Sequence, residues 1–205
     1  MFDPKTHWET IYKTKSSKEV SWYSPRLEKS LELIQSLSLS NDARIIDVGG
    51  GASTLPDDLI AAGFKNIAVL DISKEALKVS QERLGKKSGL IRWIEGDATE
   101  VSLEPESCDC WHDRAVFHFL TNPKDRQKYI KNLKKALRPR GYALMATFGP
   151  NGPLKCSGLK IVRYSAESLQ KELGILFRPE QHFTEIHKTP FDTTQEFLYC
   201  LFRKQ

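Results

Sequence analysis

The fold of this chain is decided by residues 45–53, which read IIDVGGGAS. A short apolar run ends in three consecutive glycines, and residues 54–62 follow with helical spacing. Glycine adopts positive φ without a steric penalty and lets the backbone come close to a ligand. The stretch therefore predicts a buried strand, a tight turn and a helix, which is the opening unit of an α/β sheet.

Strand and helix signals alternate on both sides of this turn. The predicted strands are Ala43–Val48, Asn66–Asp71, Leu90–Glu95, Cys108–His112, Tyr142–Phe148, Phe183–Lys188 and Phe197–Phe202. The predicted helices are Pro25–Leu37, Thr54–Ala62, Lys74–Leu84, Pro123–Leu137 and Ala166–Leu173. Alternation predicts a parallel sheet with helices on both faces. The last two strands are joined by a loop too short for a crossover helix, so they predict a hairpin with one antiparallel strand.

Length and composition limit the class of protein. With 205 residues, the chain predicts one domain over residues 25–205, preceded by an aromatic arm over residues 1–24. The hydrophobic fraction of 40% excludes a disordered or collagen-like chain. The net charge of +5 is mild and no basic cluster stands out, so we expect no nucleic-acid partner. We also expect a cytoplasmic location with no membrane partner, because no apolar run spans a bilayer and no signal peptide is evident.

The four cysteines, at positions 108, 110, 156 and 200, have no zinc-binding spacing. They predict free thiols in a reducing compartment and no metal site.

An acidic residue, Asp71, ends the second predicted strand, where a carboxylate can accept both hydroxyl groups of a ribose. Two nucleotide-binding classes fit less well. The third glycine of the dinucleotide pattern G-x-G-x-x-G is replaced by Thr54, and Asp47 would repel a pyrophosphate. No lysine follows the glycines, which excludes a P-loop. Asp47 instead suits a ligand with a cationic centre.

At these residues the sequence resembles the class I S-adenosyl-L-methionine (SAM) dependent methyltransferases. The first motif of that family, an acidic residue followed by G-x-G, corresponds to residues 47–51, with Ser53 in place of a further glycine. The second and third motifs correspond to Asp71 and Asp97. The resemblance covers residues 25–203. It implies a Rossmann-like sheet with strand order 3-2-1-4-5-7-6, an antiparallel seventh strand, and SAM as cofactor with S-adenosyl-L-homocysteine as product.

The resemblance also implies roles by position. Gly49 and Gly51 would line the methionine part of SAM. Asp71 would hold the ribose hydroxyls, and Asp97 would bond the adenine amino group beside the backbone N–H of Ala98. The expected cofactor-binding residues are Asp47, Gly49, Gly50, Gly51, Asp71, Ile72, Asp97, Ala98, Trp8 and Trp22.

The methyl acceptor is expected at the end of the fourth strand, where residues 111–119 read WHDRAVFHF. His118 and His112, with Asp113 beside them, are the predicted catalytic residues, because an acceptor must lose a proton. Each histidine could instead be a satisfied buried side chain, and Arg114 could pair with Asp113 rather than with an anionic substrate. The region resembles the thiopurine S-methyltransferase branch of the family. It lacks the [ND]-P-P-[FY] motif that marks methylation of adenine or glutamine amino groups.

The N-terminal arm carries Trp8, Tyr12, Trp22 and Tyr23. These aromatic side chains predict a lid over cofactor and acceptor, or the simple packing of an extra helix. The arm also resembles the openings of some protein-lysine methyltransferases. The predicted substrate-binding residues are Arg114, Tyr23, Cys156 in the long loop 149–164, and His187 at the last hairpin.

Together these features predict a SAM-dependent methyltransferase that acts on a small-molecule acceptor by in-line displacement. The alternative is a protein-lysine N-methyltransferase, for which the substrate partner would be a protein. A non-catalytic SAM-binding or nucleotide-binding module is a third reading. A nicotinamide dehydrogenase is disfavoured by Asp47 and Thr54.

Overall fold

The seven predicted strands form a single sheet in a computed structural model that describes residues 2–205. The strands are β1 (Arg44–Val48), β2 (Asn66–Asp71), β3 (Ile91–Glu95), β4 (Cys108–Arg114), β5 (Leu137–Phe148), β6 (Phe177–Lys188) and β7 (Thr194–Lys204). Their order is 3-2-1-4-5-7-6, and β7 runs antiparallel to both of its neighbours. The predicted sheet is confirmed. A separate ribbon of two short strands, Lys155–Cys156 and Leu159–Lys160, had not been predicted.

Helices cover the sheet and also build the arm. They are α1 (Pro4–Thr14), α2 (Glu28–Ser36), α3 (Leu55–Ala61), α4 (Lys74–Leu84), α5 (Pro123–Ala136) and α6 (Ala166–Leu173). Three 3₁₀ turns lie at Ser17–Glu19, Gly85–Leu90 and Phe117–Phe119. The Ser73 side chain caps α4 and Gly85 ends it with a positive φ, so the helix has the predicted bounds Lys74–Leu84. Within residues 2–205, no helix is long and apolar enough to cross a membrane.

Several strands are longer than the sequence predicted. β6 begins at Phe177 rather than Phe183, because it is an edge strand whose exposed residues carry little apolar alternation. β4 continues to Arg114, two residues beyond the predicted end at His112, and it is buried almost throughout, so Asp113 also lies inside the strand. Buried polar side chains need internal hydrogen-bond partners, and both residues have them.

The central strands are covered on both faces. Ile46 and Val48 of β1 pack into one core cluster with Trp111, while Ile45 packs into the other. Alternate side chains of a strand point to opposite faces, so one short strand contributes to both cores. The four cysteines are buried and unpaired in the described chain. Residues 2–205 hold no group of three His, Cys, Asp or Glu side chains arranged to bind a metal ion.

Glycine is required in the turn after β1 because neighbouring side chains leave no room for a Cβ atom there. Gly49 has a φ of +71°, which favours glycine. A Cβ atom at Gly50 would meet the carboxylate of Asp47, and one at Gly51 would lie 2.6 Å from Oδ2 of Asp71. The glycines thus let the turn after β1 pack against two acidic side chains.

Replacing Gly51 by Ala should lower the free energy of unfolding by roughly 1–3 kcal/mol, because the added Cβ overlaps Asp71 Oδ2. Gly89→Ala is the matched control, since its Cβ would meet nothing within 4 Å and should change stability by less than about 0.5 kcal/mol. Urea unfolding of both variants measures the difference. Equal unfolding midpoints would contradict the crowding argument.

Candidate functional site

A cavity of about 170 Å³ lies at the carboxyl ends of the parallel strands, beneath the arm. Among the predicted site residues, those that line this main cavity are Trp8, Trp22, Gly49, Asp71, Ile72, Asp97, Ala98 and Arg114. A smaller side cavity adjoins it, and the predicted residues lining it are Trp22, Tyr23, Asp47, Gly49, Gly50, His112 and Arg114. Most of the predicted residues are therefore brought together. Gly51, Asp113, His118, Cys156 and His187 line neither cavity.

Asp71 connects two turns at the floor of the main cavity. Its Oδ2 accepts a hydrogen bond from the Gly51 N–H at 2.9 Å, and its Oδ1 accepts one from the Ser73 N–H at 2.8 Å. Each carboxylate oxygen has two lone pairs, so both oxygens can accept one more hydrogen bond. Burial raises the pKa of Asp71 to about 6.

Asp97 supplies the second carboxylate of the main cavity. Its Oδ1 accepts a hydrogen bond from the Thr99 N–H at 2.7 Å, which fixes the turn after β3. Ala98 and Ile72 line the same space. Two carboxylates set among apolar side chains suit a ligand that carries hydroxyl or amino donors on a flat ring system.

Asp47 and His112 form a buried pair beside the side cavity. Oδ1 of Asp47 lies 2.6 Å from Nδ1 of His112, and Nε2 of His112 lies 2.9 Å from the hydroxyl of Ser30. Both ring nitrogens of His112 are therefore engaged, so the predicted base role for His112 does not fit its placement. Oδ2 of Asp47 has no partner within residues 2–205. This free, buried carboxylate oxygen suits an ammonium group in the side cavity.

His118 is fully buried in the 3₁₀ turn after β4. Its Nδ1 accepts a hydrogen bond from the Phe148 N–H at 3.1 Å, and its ring packs against Phe119 and Phe148. Burial, with a smaller effect from the charge of Arg114, lowers the pKa of His118 to about 3. The predicted base role for His118 therefore does not fit either. A neutral ring packed outside both cavities is not positioned to remove a proton from an acceptor there.

Asp113 shapes the turn that follows β4. Its carboxylate accepts hydrogen bonds from the N–H groups of Val116 and Phe117, at 3.0 and 3.1 Å, and from the hydroxyl of Tyr129. Tyr129 in turn accepts a hydrogen bond from Trp111 Nε1 at 2.9 Å. Asp113 therefore does not fit the catalytic role predicted for it, because its carboxylate faces this buried network.

Arg114 lines both cavities. Its Nε donates to the hydroxyl of Tyr199 at 3.1 Å, and its Nη1 donates to the carbonyl of Trp22 at 3.0 Å. The guanidinium also lies over the ring of Phe197, with its central carbon 4.3 Å from the ring centre. The alternative pairing with Asp113 is not formed.

Of the three remaining residues predicted to bind substrate, one lines a cavity and two do not. Tyr23 lines the side cavity. Cys156 is buried in the ribbon, where burial raises the pKa of its thiol to about 11. Nε2 of His187 donates to the carbonyl of Ser21 at 2.9 Å. Neither Cys156 nor His187 therefore fits a substrate-binding role, because His187 supports the arm from outside and Cys156 is enclosed.

The arm is attached to the domain by polar contacts that the sequence analysis missed. The carboxylate of Glu9 accepts hydrogen bonds from the N–H groups of Lys74 and Glu75, at 2.7 and 3.4 Å, and so caps α4. Lys5 forms an ion pair with Glu95 at 2.5 Å. An acidic side chain is stabilised at a helix N-terminus. Nothing in the local sequence could have paired Glu9 with a helix that lies 65 residues away.

Aromatic side chains of the arm also cover the main cavity. Trp8 meets Trp22 edge to face, with 5.6 Å between ring centres, and meets Phe119 in the same way at 5.1 Å. Trp22 Nε1 donates to the hydroxyl of Tyr12 at 3.3 Å. Trp8 and Tyr12 are four residues apart in α1, so they share one face of that helix. Leu159, from the unpredicted ribbon, lines the main cavity as well.

Known proteins that resemble this chain in sequence are methyltransferases. The family described as "Methyltransferase domain" matches residues 46–145. EEF1A lysine methyltransferase 2 of Danio rerio is 26% identical over 159 residues, which are 70% of this chain and 67% of that protein.

Solved structures share the fold. A SAM-dependent methyltransferase from Anabaena variabilis has a TM-score of 0.78 and 16% identity, covering 100% of this chain and 96% of its own. A Burkholderia thailandensis 1,6-didemethyltoxoflavin-N1-methyltransferase, crystallised with 1,6-didemethyltoxoflavin and S-adenosylhomocysteine, has a TM-score of 0.69 and 16% identity. That match covers 98% of this chain and 87% of the Burkholderia chain.

SAM affinity should depend on the ionisation of Asp71. Its raised pKa of about 6 means that the carboxylate is charged above that pH and takes up a proton below it. Because a charged carboxylate is the stronger acceptor for hydroxyl groups, SAM binding should weaken as the pH falls through about 6. Calorimetric titration from about pH 8 to about pH 5 measures this loss.

Asp71→Asn is the matched control for this titration. It should bind SAM about tenfold more weakly at neutral pH, because a charge-assisted hydrogen-bond pair is lost. Its remaining affinity should lack the step near pH 6. The same step in wild type and variant would assign the titration to another group.

Loss of the Glu9 cap should loosen the arm. Glu9→Ala removes an interaction worth about 1 kcal/mol, so trypsin should cleave after Lys13 and Lys15 about fivefold faster. The exposed Glu104, which follows β3, supplies the control Glu104→Ala. Cleavage at wild-type rates in Glu9→Ala would show that the aromatic contacts alone hold α1.

Proposed function

Because this chain is a class I SAM-dependent methyltransferase, we propose that it transfers the methyl group of SAM to a small-molecule acceptor. The observation that carries the proposal is the cover over the main cavity, to which Trp8 and Trp22 of the arm and Leu159 of the ribbon contribute. Small ligands bind in concave, mostly apolar sites with a few polar groups. A lysine on a folded protein would have to reach past this cover.

The residues of the two cavities fit SAM in chemical character. In this proposal, Asp71 accepts the ribose hydroxyls, and Asp97 with the Ala98 N–H binds the adenine amino edge. Asp47, whose Oδ2 is buried without a partner in the described chain, receives the methionine ammonium. Gly51 acts indirectly, because its N–H orients Asp71. Ile72, Trp8 and Trp22 contribute apolar surface around the cofactor, and Gly49 and Gly50 line the methionine side.

SAM supplies the reactive methyl group, carried on a positively charged sulfur. The protein is left to orient the two reactants in line and to exclude water. The arm excludes water, because Trp8 and Trp22 pack together over the main cavity. The strand ends orient the reactants, because Asp113 holds the turn at residues 114–116 against the glycine turn.

A second candidate is methylation of a protein lysine. It is favoured by the Danio rerio relative, whose name is that of a lysine methyltransferase. The Burkholderia structure, with its small heterocyclic ligand, favours the first candidate at the level of the shared fold. In the second candidate, a lysine side chain would enter between the arm and the ribbon, and the arm would form part of the protein contact.

Transfer of labelled methyl groups separates the two candidates. Purified protein is incubated with methyl-labelled SAM and a cell extract that has been divided by size. We expect label in the small-molecule fraction with wild-type protein and little with Asp71→Ala, which lacks the proposed ribose contact. Label confined to a protein band would instead support the lysine reaction and overturn the small-molecule proposal.

A further inference from the structure

Arg114 is a partly buried cation whose charge no carboxylate balances. Within residues 2–205, no Asp or Glu oxygen lies within 4.0 Å of its guanidinium nitrogens. Its sequence neighbour Asp113 is occupied by Val116, Phe117 and Tyr129. An unbalanced charge in a partly desolvated place is costly, and a ligand of opposite charge removes that cost.

The guanidinium is held in a fixed orientation. Tyr199 and the Trp22 carbonyl accept hydrogen bonds from Nε and Nη1, and the Phe197 ring supports one face. Nη2 has no acceptor in the described chain, although Arg114 lines both cavities where they adjoin. A side chain locked by surrounding contacts, with the two N–H groups of Nη2 left over, is a preorganised anion-binding group.

The cavities offer no side chain suited to remove a proton from an acceptor. Besides Arg114, the ionisable side chains lining them in the described chain are Tyr12, Tyr23, Asp47, Asp71, Asp97 and His112. The three carboxylates are assigned to SAM, and both nitrogens of His112 are engaged. Burial holds the pKa of Tyr12 well above its usual range, so its hydroxyl keeps its proton, and Tyr23 lines only the side cavity on the methionine side of SAM.

We propose that Arg114 binds the acceptor, and that the acceptor is a small molecule with an anionic nucleophile, either a carboxylate oxygen or a thiolate sulfur. This inference rests on the proposed function of the same site. A lone pair of the acceptor forms the new C–O or C–S bond while the S–CH₃ bond of SAM breaks. The electron pair of the broken bond stays on sulfur, giving S-adenosyl-L-homocysteine. No proton is transferred, so no general base is required.

Charge also selects against an ammonium acceptor. Because the three cavity carboxylates are assigned to SAM, a protonated amine beside Arg114 would meet two positive groups, the guanidinium and the sulfonium of SAM. Like charges within one cavity of low dielectric constant repel strongly. An acceptor anion is attracted by both, and it must bind at Arg114 while the methionine carboxylate of SAM is also in place.

Fractionation of acceptors by charge tests the proposal. Small molecules from a cell extract are passed over an anion exchanger at about pH 9.5, where carboxylates and thiolates are retained and amines are not. Labelled methyl transfer should be confined to the retained fraction. A base-labile product identifies a methyl ester. For a base-stable product, mass spectrometry locates the methyl group: methyl on sulfur identifies a thioether, and methyl on nitrogen would overturn the proposal.

Variants of Arg114 link that activity to the guanidinium. Arg114→Met should raise the KM for the retained acceptor on the order of tenfold to a hundredfold, and Arg114→Lys by less, because a charged partner is lost or loses its fork geometry. Label only in the unretained fraction would overturn the role of Arg114 and leave the small-molecule function standing. Label only on protein would overturn both.

A binding measurement provides a readout besides activity. Protein saturated with S-adenosyl-L-homocysteine is titrated with phenylacetate and with phenylacetamide, its neutral analogue. The anion should bind more tightly to wild type, and the preference should disappear in Arg114→Met. Affinity for S-adenosyl-L-homocysteine, measured on the same variant, reports whether the arm contact through Trp22 has been lost. Equal binding of the two probes to wild-type protein would overturn the proposal.

Discussion

The site depends on the contact between the glycine turn after β1 and the carboxylate that ends β2. Asp71 accepts hydrogen bonds from Gly51 and Ser73, and this holds the first turn against the start of α4. The two turns meet because parallel strands end at the same edge of a sheet. Glycine is needed there because a side chain at residue 51 would collide with the carboxylate. The same carboxylate that binds the turns then faces the cavity.

The polar residues of β4 illustrate how burial changes the meaning of a sequence pattern. In the amino-acid sequence alone, His112 and Asp113 have the composition of a catalytic cluster. In the fold, β4 lies between β1 and β5, and both side chains are satisfied by Ser30, Asp47 and Tyr129. Buried polar groups must find partners inside the protein. These residues therefore shape the end of the strand, and Arg114 is the β4 residue that lines both cavities.

The arm covers the main cavity and shields it from solvent. Without it, the carboxyl ends of the strands would form an open crevice. Glu9 and Lys5 attach α1 across α4 and β3, and the ring of Trp8 closes over the strand ends. Apolar cover lowers the local dielectric constant, which strengthens each electrostatic contact below it. The uncompensated charge of Arg114 gains its importance from this cover.

The sequence by itself determined the strands, the terminal hairpin and the carboxylates at the strand ends, because strand periodicity, glycine turns and helix caps are local signals. The strand order followed from the resemblance to the methyltransferase family. Only the tertiary structure decided which polar side chains reach the cavities. That choice depends on partners far apart in the chain: His112 meets Ser30 across 82 residues, and Arg114 meets Tyr199 across 85. Such contacts form when elements pack, so the sequence pattern around each residue carries no trace of them.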